Sequence, residues 1–251
     1  MIQSIARAVD ILDLLAESTP ETISATTLAQ RLGLSPQTVG NILRELYSLG
    51  LVSQDSSRKY RLGSHCFYLG QAADHWQSLR NAGNPILKEL RDATKCTVFL
   101  GVMENDRLLC LSILNPQDEF FAPPPQLWMD QLHATACGRL LVALMPAEER
   151  KRLFKRIARR QITNKTVTDV EKLTCLCKEI AERQYAEVQD ESVEGTWSLA
   201  VPVRSMTGEL IAGLALSNRI ALQDTLPLET RLELLMGAAA RIGVAACFNK
   251  K

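Results

Sequence analysis

Apolar residues recur at helical spacing near the start of the chain. Ile5, Ala8, Val9, Ile11, Leu12 and Leu15 share one stripe, which predicts an amphipathic helix over residues 3–17. Ser18-Thr19-Pro20-Glu21-Thr22 breaks it. Ser24 can cap a short second helix that turns Leu28, Ala29 and Leu32 inward and ends at Gly33. Ser35-Pro36 is the sharpest start signal in the chain, because serine offers a capping oxygen and proline at the first helical position forfeits no hydrogen bond. The third helix then carries Val39, Ile42, Leu43, Leu46 and Leu49 on its buried stripe and stops at Gly50. Beyond it the pattern turns to strands, Leu51-Val52-Ser53-Gln54 and Lys59-Tyr60-Arg61-Leu62, joined by the turn Asp55-Ser56-Ser57-Arg58. Short helices, a tight turn at Gly33-Leu34, a longer third helix and a hairpin predict a mostly α winged helix-turn-helix.

The remainder reads differently. Leu69, Ala72, Ala73, Trp76 and Leu79 predict a linker helix, and Asn84-Pro85 opens another that carries Ile86, Leu87, Leu90 and Ala93. Thr97–Val102 and Leu108–Ile113 are expected strands around the turn Glu104-Asn105-Asp106, and residues 115–129, with three consecutive prolines, are expected to be irregular. Helices are expected at about 135–145, 147–158 and 169–183, the last opened by a capping box of Thr168 and Glu171. Strands at about 185–189, 197–203 and 210–217 precede a final helix near 227–247. A mixed antiparallel sheet flanked by helices makes an α+β sandwich. The expected organisation is therefore residues 1–63 as the winged domain, 64–80 as the linker helix and 81–251 as a larger α+β domain.

Composition narrows the setting. The 251 residues suffice for two domains, and 46% hydrophobic with 23% charged residues is ordinary for a soluble fold. No apolar run approaches the roughly 20 residues of a membrane span. Residues 1–7 lack the marks of a secretion signal, so a cytoplasmic protein is expected. Seven cysteines, odd in number and scattered, do not form a disulfide framework. A net charge of +1 does not announce a nucleic-acid ligand, and the seven acids of residues 1–80 match the seven bases there. The charges are nevertheless segregated: Asp10, Asp13, Glu17 and Glu21 come first, and Arg58, Lys59 and Arg61 cluster in the hairpin.

That segregation points to a site. The exposed face of the third helix, capped by Ser35, offers Gln37, Thr38, Asn41 and Arg44, side chains able to meet base edges or phosphates in a major groove. Arg58, Lys59 and Arg61 suit phosphate or minor-groove contact. The competing reading is a small helical subdomain with an ordinary polar face.

Other signals carry less. His133 and Cys137 stand four apart, as a metal pair or a thiol nucleophile would, but a structural histidine is the simpler reading. Cys175 and Cys177 point apart on a helix, and the bases of Arg150–Arg160 read as a solvated helix face. No phosphate loop, Gly-x-Ser-x-Gly or dinucleotide fingerprint occurs, so no cofactor, metal or catalytic residue is expected.

Five segments, in order, resemble the IclR family of bacterial transcription regulators: Gln3–Leu12, Leu46–Val52 with Tyr60–Gly63, Leu132–Arg139, Ala200–Val203 and Ala212–Ser217. The resemblance implies a regulator of transcription with a GAF-like effector-binding domain; a repressor is the expected direction, and the sequence alone leaves an activator open. It implies a small organic or aromatic acid held between the sheet and the segment around His133. Ala136, Cys137 and Gly138 open the helix there, and free N–H groups at a helix start suit a carboxylate. Ser198 and Ser217 match ligand-facing positions, although satisfied strand hydroxyls remain an equal reading. A homodimer or tetramer, joined through the first helix and residues 64–80, would read a palindromic operator in double-stranded DNA. Departures at Gln189-Asp190, Trp197 and Ala215 point to a less polar pocket, and Leu127–Gln131 departs from the family's usual glycine and basic pattern, so no single ligand is expected. The other reading is a small-molecule enzyme whose N-terminal domain binds protein, for which the chain offers no clustered acid–base pair.

Overall fold

A computed structural model of the chain describes residues 2–72, 76–116, 131–221 and 226–248. The chain divides into two compact units, Met1–His75 and Trp76–Lys251.

The first unit contains α1 (Gln3–Glu17), α2 (Ala25–Leu32), α3 (Pro36–Ser48), β1 (Val52–Gln54), β2 (Tyr60–Leu62) and α4 (Ser64–Ala72). Both expected serine caps form: Ser24 Oγ accepts the Thr27 N–H at 3.1 Å, and Ser35 Oγ accepts the Thr38 N–H at 3.1 Å. Each such cap contributes about 1 kcal/mol. Gly33 closes α2 in the left-handed region at φ +63°, which a side chain would disfavour. Ile11, Leu15, Leu28, Val39, Leu43 and Leu46 converge in one buried cluster, at roughly 1.5–3 kcal/mol for each large side chain.

Two expectations need correction here. Leu49 is 61% exposed rather than part of the stripe, because α3 ends at Ser48 and Leu49 is already its C-cap. The segment before α2 is more than a breaker: Ile23 exchanges two backbone hydrogen bonds with Tyr60, at 2.9 and 2.7 Å, and adds a third strand position to the hairpin. Gly63 is fixed by packing, since a Cβ there would sit 2.1 Å from the Gly50 carbonyl oxygen. Its N–H donates to Leu51, and the His65 N–H donates to Gly50, so the start of α4 is tied to the hairpin.

The second unit contains α5 (Gln77–Thr94), β3 (Thr97–Glu104), β4 (Arg107–Leu114), α6 (Ala136–Leu144), α7 (Ala147–Arg156), α8 (Val170–Arg183), β5 (Ala186–Gln189), β6 (Thr196–Arg204), β7 (Leu210–Arg219) and α9 (Leu228–Phe248). The strands form one sheet in the order β4-β3-β7-β6-β5, and every pairing is antiparallel, so the expected mixed sheet is purely antiparallel. Strand alternation divides the core. Val98, Leu100, Trp197, Leu199, Leu214 and Leu216 pack with α5 and α9. Phe99, Val188, Ala200 and Ala215 pack with α6, α7 and α8 on the opposite face.

Further corrections follow from the same packing. The expected linker helix is described in two parts, α4 (Ser64–Ala72) and α5 (Gln77–Thr94), and residues 73–75 lie outside the described residues. Asn84-Pro85 opens nothing: Pro85 lies inside α5, where burial of Ile86, Leu87 and Leu90 offsets the hydrogen bond that proline removes. The cap of α8 is Asp169, which accepts the Lys172 N–H at 2.8 Å, one residue beyond the expected Thr168. Asn105 and Asp106, both at positive φ (49° and 63°), make a two-residue primed turn between β3 and β4. Most of the stretch expected to be irregular, residues 117–130, lies outside the described residues.

Candidate nucleic-acid interface and ligand site

Burial of Val39, Leu43 and Leu46 fixes which face of α3 turns outward. Gln37, Asn41 and Arg44 are exposed on that face, and Arg44 Nη1 leans on Asn41 Oδ1 at 3.4 Å. Thr38 is half-buried, and its hydroxyl lies 2.8 Å from Ser35 Oγ, so these two side chains serve the helix cap first. Polar groups and a positive helix start thus share one surface.

The hairpin is organised by Asp55. Its carboxylate accepts the Ser57 hydroxyl at 2.7 Å, the Ser57 N–H at 2.9 Å and the Lys59 N–H at 3.0 Å. The Ser57 hydroxyl and the Lys59 N–H lead in holding the Asp55 carboxyl down at about 2. Folding the turn around this acid pushes Arg58 and Lys59 into solvent, with Arg58 at φ +60°. Arg61 is also exposed and donates from Nε to Ser53 Oγ at 3.2 Å. Among the described residues, Arg44, Arg58, Lys59 and Arg61 form no ion pair, which leaves their charge for an external anion.

In the second unit, Ser198 and Ser217 are direct cross-strand partners on the sheet face toward α6. Sequence reasoning missed their neighbours. Thr97 pairs with Ser217 on the same face, and its hydroxyl donates to Asn115 Oδ1 at 3.2 Å, so a row of four polar side chains crosses the sheet. Alternation marks Thr97 as facing the same way as Phe99, but the row itself needs the strand order. Ser217 already has a partner, the Trp197 carbonyl at 3.0 Å.

The row lies at the end of the sheet where β5 runs out into Asp190 and Glu191. There Arg139 of α6 grips Glu191 through Nη1–Oε1 at 2.8 Å and a second contact from Nη2 to Oε2. Arg139 Nε also donates to the His133 carbonyl at 2.8 Å, and Glu191 Oε2 accepts the Val167 N–H at 2.9 Å. This buried network ties the start of α6 to the chain just beyond β5.

Ala136, Cys137 and Gly138 form the first turn of α6 and are fully buried. The Gly138 N–H is occupied by the cap, Thr135 Oγ1 at 3.2 Å. A Cβ on Gly138 would meet the Leu132 carbonyl at 2.6 Å, so this glycine is required by packing. Cys137 points its sulfur at Gly213, where a Cβ would lie 2.6 Å away, and burial pushes its thiol pKa far up. Such a thiol is a poor nucleophile.

His133 precedes α6 rather than sharing its face with Cys137. Its Nε2 lies 2.9 Å from the Arg160 carbonyl, which can only accept, so Nε2 carries the proton. Burial holds its pKa below the usual value, against the Arg160 hydrogen bond, and the ring is neutral.

Trp197 does not enter this site: it faces α5 and α9, and Gln189, opposite it, is exposed. Ala215 does face α6. Of the bases of residues 150–160, Lys151, Arg152, Lys155 and Arg160 are exposed, as a solvated helix face requires, and three others have structural partners. Arg150 donates to Ala143 O at 2.9 Å, Arg156 grips Asp106, and Arg159 binds the carbonyls of Phe154, Ile157 and Thr168.

Residues 71–243 match the family described as "Bacterial transcriptional regulator IclR C-terminal", and residues 4–56 match the "IclR helix-turn-helix domain". The HTH-type transcriptional regulator BhcR of Paracoccus denitrificans is 30% identical over 249 residues, covering 96% of this chain and 88% of its own. The HTH-type transcriptional regulator KdgR of Escherichia coli is 30% identical over 217 residues, covering 86% of this chain and 82% of its own. Among solved structures, an IclR homolog from Microbacterium hydrocarbonoxydans complexed with 4-hydroxybenzoate superposes with a TM-score of 0.79 at 23% identity, over 98% of this chain and 99% of that one. The winged fold, the sheet with its flanking helices and these matches lead to one conclusion: the chain belongs to the IclR family of bacterial transcriptional regulators.

Proposed function

We infer that this chain is a sequence-specific repressor that binds a palindromic operator in double-stranded DNA and is controlled by a small carboxylate or aromatic acid. The observation that carries the DNA reading is the outward face of α3, where Gln37, Asn41 and Arg44 stand clear of a fully buried stripe, with unpaired Arg58, Lys59 and Arg61 in the same unit. Gln and Asn suit adenine edges and Arg suits guanine. Ser35, Thr38 and the hairpin bases contact phosphates. Two copies are needed to span a palindrome. Ile2, Ile5 and Val9 along α1 (67%, 60% and 48% exposed) and Phe67, Tyr68 and Leu69 on α4 are unburied apolar residues that a homodimer would cover.

The effector lies against Ser198, Ser217 and Thr97, with its acid group at the backbone of Ala136 and Cys137, where the helix start is positive. The 4-hydroxybenzoate of the Microbacterium homologue makes that acid a suitable first probe. A ligand shifts DNA affinity only through unequal affinity for the two states of the protein.

The test is an anisotropy titration on an operator fragment at fixed salt. Arg44→Ala should weaken specific binding by roughly tenfold or more while leaving the response to effector intact. Unchanged affinity removes Arg44 from the contact surface. Loss of the protein should raise transcription from the bound promoter, and a fall would make it an activator.

A further inference from the structure

Two arginines of the second unit are buried, and they are treated in opposite ways. Arg139, 3% exposed, is matched by the Glu191 carboxylate. Arg231, 5% exposed and in the first turns of α9, has no acceptor for Nε or Nη1. Its guanidinium lies over Trp197 with Cζ 4.3 Å from the ring centroid, and the Trp197 Nε1–H, in a residue only 1% exposed, is also without a partner.

Such an arrangement is costly if nothing completes it. Desolvating an unpaired ion costs several kcal/mol, whereas stacking on an aromatic ring returns about 2. Among the described residues no carboxylate meets Arg231. The nearby Cys96 thiol does not serve as counter-ion: burial raises its pKa more than the Arg231 charge lowers it, so it stays protonated. The start of α9 adds positive potential of the same sign.

We propose that Arg231 and Trp197 form a second anion site, which takes a small monocarboxylate on the face of the sheet opposite the Ser198–Ser217 row. One unmatched cation calls for one negative charge. The planar, weakly hydrated guanidinium and the indole N–H both donate to carboxylate oxygens. Trp197 belongs to an apolar cluster with Leu216 and Leu235, which supplies no second charge for a phosphate dianion. The site shares no residue with the effector reading above.

The experiment follows thermal unfolding and indole fluorescence of the full chain with acetate and benzoate, at ionic strength held constant with potassium chloride. In the wild type, carboxylate should raise the unfolding midpoint with the logarithm of its concentration and alter the emission. Arg231→Met should abolish the emission change, leave only the thermal shift that the Ser198–Ser217 site supplies, and unfold at or above the ligand-free wild-type midpoint, because it deletes an unmatched charge. Ser217→Ala, on the other face, should keep the emission change. Trp197→Phe, which retains a ring but no N–H, should weaken the thermal response to carboxylate several-fold. The proposal is overturned by a wild type whose emission is indifferent to carboxylate, by an emission change that survives Arg231→Met, or by one abolished in Ser217→Ala. It is equally overturned if Arg231→Met unfolds well below the ligand-free wild type, which would mean that the chain itself supplies the counter-charge.

Discussion

Glu191→Ala tests the geometry around the ligand site. The side chains of Arg139 and Glu191 are 4% and 11% exposed, so their attraction is little screened by water. Removing the carboxylate leaves the guanidinium with the His133 carbonyl alone and strips the Val167 N–H of its acceptor. Breaking a buried pair from one side costs about 3–5 kcal/mol. For a unit of this size that is a fall in midpoint of roughly 6–20 °C. Differential scanning calorimetry reads it directly, provided the transitions of the two units are resolved. The double variant Arg139→Met with Glu191→Leu removes both charges and should recover most of the loss, since well-packed apolar substitutes for a buried pair are often neutral. A single variant that loses under about 1 kcal/mol, or a double variant no better than the single, would refute the buried network. Because the pair ties the start of α6 to the chain just beyond β5, Glu191→Ala should also blunt the effector response at a temperature where the chain is folded.

Three other outcomes are expected. Gly63→Ala should disrupt the hairpin and sharply reduce DNA binding while sparing the second unit, because the new Cβ overlaps the Gly50 carbonyl; near-normal affinity would show that the crossing can open. The folded-state pKa of His133 is depressed below 6.5, so its contribution is present above that pH and lost as pH falls through the folded value. Urea unfolding should therefore show second-unit stability declining below pH 6.5, and His133→Gln should flatten that decline. Replacing Arg58, Lys59 and Arg61 together by Ala should make the slope of log affinity against log salt shallower, by about 1 for each phosphate no longer neutralised; an unchanged slope in a salt titration removes the hairpin from the interface.

What the sequence disclosed follows the range of each interaction. The Ser24 and Ser35 caps are written within four residues, and stripe residues such as Leu28 and Leu43 within a few turns. Arg139 and Glu191 lie 52 positions apart, and nothing local marks them as partners. Ile23 with Tyr60 and Thr97 with Ser217 likewise need the strand order. Trp197 is a different case. Alternation places it opposite Ser198, so its absence from the α6 face is legible in the pattern, and comparison with relatives position by position obscures it. Leu49 and Thr168 each fall one residue from the true helix end, where pattern and capping signals overlap.

The reading of this chain as an operator-binding regulator can be checked by anisotropy of the purified chain on the intergenic DNA upstream of its own gene. Scrambled DNA of equal length is the reference, at one near-physiological salt. Specific binding should be roughly a thousandfold or more tighter than binding to the scrambled fragment. Absence of binding to either fragment, even at low salt where phosphate contacts alone should be visible, would contradict the reading.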